Sequence, residues 1–137
     1  MKNYREPQEE TRKIIEEVFS KTDLDRIIFL DILCDDNQKD LFRLYKTNEI
    51  TRYLTKKDLI IVVNEKAFDM LPEDIKLLKC EEVFSSVYWD FEKSVLKINK
   101  GDVNTFSLFL KKYGYDTFER MEESIKSVFD TLKNKEE

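Results

Sequence analysis

The run Leu-Ile-Ile-Val-Val at Leu59–Val63 constrains this chain more than any other segment. Five branched apolar residues without polar alternation predict a strand buried on both faces rather than one with a wet side. Asn64 directly after it suits the cap of a short helix over residues 65–70. Pro72, with Glu73 and Asp74 in the first turn, opens the next helix, which runs to residue 84 or 86.

The remaining elements follow from period and punctuation. Residues 7–20 read as a helix, with Pro7 at its start and an apolar stripe of Ile14, Ile15, Val18 and Phe19. Residues 26–33 read as a strand, residues 35–40 as a polar turn, and residues 41–46 as a strand returning to form a hairpin. Residues 47–57 fit a short helix or an irregular crossover. Residues 87–91 and Val95–Ile98 read as two strands joined by a tight turn near Glu92 and Lys93. Asp102 caps a helix over residues 103–113, which Gly114 ends. Asp116 and Glu119 make a capping-box-like start for a last amphipathic helix, residues 116–134. At 137 residues the chain is one domain, residues 1–137. The fold class is α+β: a small antiparallel or mixed sheet packed with about four to five helices.

Composition narrows function mainly by exclusion. The sequence has no histidine, so Ser-His-Asp and Cys-His catalysis are impossible. Net charge is −5 from 24 basic and 29 acidic residues, and no Lys/Arg run exceeds two residues, which argues against nucleic-acid binding. The two cysteines, Cys34 and Cys80, are distant in sequence and read as buried, reduced thiols. No stretch approaches the ~18 apolar residues of a membrane helix, and the polar N-terminus lacks a secretory pattern. The expectation is a cytoplasmic protein, in host cytoplasm or virion, without cofactor or membrane contact.

The run from Asp58 to Phe84, continuing through Gly101-Asp102-Val103 to Lys112-Tyr113-Gly114, resembles the phage metallopeptidase family over residues 41–115. That family implies a zincin-like layout: a buried strand, a short helix, then a helix bearing H-E-x-x-H. Two imidazoles four residues apart hold zinc, and the intervening glutamate is general base to its water. Here the motif positions read Cys80-Glu81-Glu82-Val83-Phe84, and the third-ligand position falls on Gly101 or its neighbours. Only Glu81 keeps its identity, as the one retained catalytic candidate. Phenylalanine and glycine side chains cannot ligate zinc, so no metal site is expected.

The resemblance therefore implies a pseudoenzyme, a metal-free phage protein acting through protein binding as a virion accessory, assembly module or host-factor ligand. One alternative is a divalent-metal hydrolase built on Glu81, Asp90, Glu92 and Asp102. Another is an acidic mimic or inhibitor of a nucleic-acid-binding host protein, which the interleaved lysines disfavour. Partner or self-association surfaces are expected on the last helix, at Phe118, Met121, Ile125, Val128 and Leu132, and on the aromatic strand, at Tyr88 and Trp89.

Overall fold

The computed structural model describes residues 4–98 and 111–136. In chain order these form helix α1 (Glu9–Ser20), a 3-10 turn (Asp23–Arg26), strands β1 (Leu30–Cys34) and β2 (Phe42–Lys46), and helix α2 (Glu49–Thr55). Strand β3 (Leu59–Val63), helices α3 (Glu65–Asp69) and α4 (Glu73–Ser85), strands β4 (Val87–Asp90) and β5 (Val95–Ile98), and helix α5 (Tyr115–Glu136) complete them. The architecture is α+β, with a three-stranded mixed sheet and a separate two-stranded one.

The expected hairpin of β1 and β2 is not formed. β3 lies between them, parallel to β1 and antiparallel to β2, in the order β1-β3-β2. The reason is in the turn. The Asp35 backbone N–H donates to the Val63 carbonyl (3.0 Å), and the Gln38 Nε2 donates to the carbonyls of Val62 (2.9 Å) and Leu41 (3.2 Å). The Asn64 side chain returns a bond to the Gln38 carbonyl. These bonds carry residues 35–41 across the end of β3, so β2 descends on its far side. They also satisfy buried polar groups that are otherwise costly to desolvate.

The predicted strand over residues 26–33 is also corrected. The chain first makes the 3-10 turn, with Leu24 and Ile28 turned inward, and becomes extended only at Leu30. Residues 47–57 resolve as the short helix α2, capped by the Asn48 side chain and closed by Lys56 in the left-handed region (φ 63°). Pro72 is the N-cap of α4 rather than its first turn. α5 begins at Tyr115, one residue before the expected Asp116 cap, with the Phe118 N–H donating to the Gly114 carbonyl.

One face of the sheet carries the core. Ile32, Cys34, Phe42, Leu59, Ile61 and Val63 point into it, against α1, α4 and α5. β3 is buried along its length except at Ile60, which is partly exposed on the opposite face. The apolar stripe of α5 also turns inward: Met121 is fully buried, Ile125 and Val128 nearly so, and Phe118 and Leu132 pack against the same cluster. Its spacing matches its own core, because a long amphipathic helix beside a small sheet is the cover that the sheet requires.

The carboxyl ends of β1 and β3 are tied to the N-terminal segment by a buried charge network. The Glu65 carboxylate, 2% exposed, accepts from the Gln8 backbone N–H (2.9 Å) and pairs with Arg5 (2.8 Å). Arg5 also bridges to Asp36 (2.9 Å), whose other oxygen accepts from the Glu65 and Lys66 N–H groups and caps α3. Burial raises the Glu65 pKa, but hydrogen bonds from Gln8, Thr11 and Arg5 outweigh it, leaving the value below the ordinary carboxylate range.

Two predictions follow from this packing. Met121→Ala should cost about 2–5 kcal/mol in urea unfolding through cavity formation, without changing the association state. Glu65, with its lowered folded pKa, stabilises the protein above its unfolded value near 4.5 and loses that contribution as pH falls. Glu65→Gln should therefore lower stability at pH 7 and flatten the acid limb of the stability–pH curve.

Candidate functional site

The positions singled out on α4 separate by direction. Cys80 is fully buried and Phe84 is 2% exposed, both turned toward α1, where the Phe84 ring meets Phe19 at 5.2 Å between centroids. They lie four residues apart and share a face, as helical geometry demands. Glu81 is rotated about 100° from Cys80 and lies at the half-exposed flank. There it accepts a hydrogen bond from the Tyr113 hydroxyl and pairs with Lys112 at 2.5 Å. Both partners belong to the Lys-Tyr-Gly close of the resemblance, and Lys112 is the one that sequence reasoning missed.

The Cys80 thiol is pushed up to about 12 by burial, and Cys34 also rises to about 12, first through burial and then through the Glu65 charge. Both are protonated, apolar core groups at neutral pH. Lys79 does not activate Cys80. Its ammonium pairs with Glu82 (2.6 Å) and Glu122 (3.3 Å), joining α4 to α5.

The carboxylates of the hydrolase alternative are engaged elsewhere. Asp90 caps the β4–β5 turn by accepting from the N–H groups of Glu92 and Lys93, and pairs with Lys97 at 3.3 Å. The Lys93 N–H and the Lys97 ammonium hold its pKa below the usual range against slight desolvation. Glu92 is exposed on that turn. Gly101 and Asp102 lie outside the described residues. In the acidic turn after β1, Asp35 is buried, Asp36 caps α3, and the exposed Asp40 pairs with Arg43. Among the described residues no three His, Cys, Asp or Glu side chains are grouped to hold one ion.

Beside Glu81 lies a groove of about 490 Å³ between the 3-10 turn, α4 and β4. Leu24, Ile27, Phe84 and Trp89 give it apolar walls, with Tyr88 and Phe91 at its mouth. Tyr88 is 39% exposed and Phe91 78%, whereas Trp89 packs partly against the core. Of the surface expected from sequence, Tyr88 is thus exposed, Trp89 is partly packed inward, and the α5 stripe faces the core.

The sequence matches the family described as "Putative phage metallopeptidase" over residues 3–128. The chain belongs to that family. No curated protein and no solved structure matches it. The match reaches beyond the 41–115 segment that carries the resemblance and takes in α1 and most of α5, so the helices that pack around Cys80 and Phe84 belong to the family's domain.

The family description implies a metal, and the residues of this chain do not fit one. Where the resemblance would put two histidines, the helix presents a protonated thiol and a phenyl ring to a packed core. The intervening glutamate is held by a lysine and a tyrosine. Zinc requires a convergent set of nitrogen, sulfur or oxygen donors, and no such set forms here among the described residues. No catalytic step can be built through zinc at this place.

The thiols supply a direct check. In native protein at pH 8, Cys34 and Cys80 should both resist Ellman's reagent, and both should react in guanidinium. Because their folded pKa values near 12 exceed the ordinary 9.0, their contribution to stability is complete below pH 9. It should be lost as pH rises from about 9 to 12, an alkaline slope that a Cys34→Ala, Cys80→Ala variant reduces.

Proposed function

We propose that this protein is a metal-independent, non-catalytic member of the phage metallopeptidase family that acts by binding another protein, as an assembly component or a ligand of a host factor. One observation carries the reading: Cys80 and Phe84, on the helix where the family's description would place metal chemistry, are core side chains. Making either position a ligand would require exposing the core of α1 and α4. The hydrolase alternative finds no support in a pair of carboxylates already committed, Glu81 to Lys112 and Tyr113, and Asp90 to a turn and Lys97.

A binding role is supported by the outward aromatic side chains. Phe91, Tyr88 and Tyr115 are exposed around α4 and β4, and Phe29, Ile50, Tyr53 and Leu54 elsewhere. Large exposed apolar groups mark interaction surfaces when they cluster. The acidic-mimic alternative would need a continuous negative face, whereas Arg12, Lys21, Arg43, Arg52 and Arg120 each neutralise an acidic neighbour on the surface.

Elemental analysis and native mass spectrometry of protein purified without chelator from zinc-supplemented culture test this reading. The expected result is a mass without metal, far less than one zinc per chain, and no cleavage of casein. One tightly held zinc per chain, displaced by Glu81→Gln, would overturn it.

A further inference from the structure

The groove beside Glu81 has a distinctive chemistry. Its charged lining residues are Asp23 and Glu81, both acidic, and the rest of its lining is aromatic, aliphatic or hydroxyl-bearing. Asp23 has no ion-pair partner among the described residues. Trp89, Tyr88 and Phe91 line the same groove as these carboxylates. Aromatic faces and carboxylates together attract cationic side chains, through the ring quadrupole and direct ion pairing, while the apolar walls accept aliphatic ones. β4 itself is paired only with β5 among the described residues, so it offers an extended neighbour along one wall.

We propose that this groove binds an extended segment of a partner protein in which arginine or lysine side chains alternate with apolar ones. The proposal rests on the reading of the domain as a protein-binding module and gives that module a ligand class. Lys112 sets the affinity of the free groove. It neutralises Glu81 from an exposed position, 63% accessible, and an incoming guanidinium can replace it at little cost because surface pairs are weak. Arginine is favoured over lysine, since its planar fork can pair with a carboxylate while stacking on a ring.

The sequence contains one tryptophan, Trp89, so fluorescence reports on the groove directly. The probe is an acetylated, amidated hexapeptide alternating leucine and arginine, titrated at ~0.15 M salt beside its leucine–glutamate counterpart. The arginine peptide should change Trp89 emission saturably and the glutamate peptide should not. Asp23→Asn should weaken binding about twofold to fivefold, and Phe91→Ala about fivefold or more. Both residues are exposed, so both variants should keep the wild-type far-UV spectrum. Lys112→Ala should tighten binding, whereas Lys66→Ala, the same charge change on α3, should leave it unchanged.

Equal responses to the two peptides, no saturable response, or equal effects of Lys66→Ala and Lys112→Ala would overturn the proposal. Its failure is distinct from that of the parent reading. A metal-free, inert protein that ignores the arginine peptide loses only the groove. A protein that binds the peptide and hydrolyses it retains the groove and loses the non-catalytic role.

Discussion

The structure depends on β3 being hydrogen-bonded along both edges by strands of opposite direction. A run as apolar as Leu59–Val63 leaves no edge or face that can be given to water without loss. Pairing β1 parallel on one side requires a crossover, which residues 35–58 supply through β2 and α2. That crossover could not hold with an unsatisfied backbone over the strand end. Gln38 and Asn64 meet the need by exchanging side-chain bonds with the carbonyls of the turn and of β3. The same end is then locked by Glu65, whose burial is tolerable only because a backbone N–H, a hydroxyl and a guanidinium converge on it.

With the sheet fixed, the role of α4 is largely determined. It crosses α1 with Cys80 and Phe84 in the contact, and its other flank carries Glu81 toward Lys112 and Tyr113. Three positions that the resemblance would join in one site therefore serve two separate structural purposes. Cys80 and Phe84, four residues apart, share the buried face, whereas Glu81, about 100° round the helix, reaches the flank.

Much of the fold was legible in the sequence because burial and period agree. Leu59–Val63, the cap at Asn64, the β4–β5 pair and the stripe of α5 each left a local pattern. The strand order did not. A polar turn between two apolar runs reads as a hairpin, and nothing local to residues 35–41 says that Gln38 will bond to Val62 and carry the chain across β3. Partners far apart in sequence were equally hidden: Arg5 with Glu65, and Glu81 with Lys112. The amphipathic stripe on α5 was visible, but whether it covered its own sheet or a second protein depended on the sheet it met.

The identities at the two inward positions of α4 suit a packed core. An imidazole turned into this core would be a buried base, costly unless a metal or hydrogen-bond partner met its nitrogen. A thiol with its proton retained, and a phenyl ring against Phe19, need neither. They fill the space with dispersion contacts and remove the coupling between folding and metal that a zinc site imposes. Glu81 pairs with Lys112 and Tyr113 at the flank, beside a groove whose other charge is the Asp23 carboxylate. The packing that buries Cys80 and Phe84 thus also leaves a groove with aromatic walls and two carboxylates beside the helix.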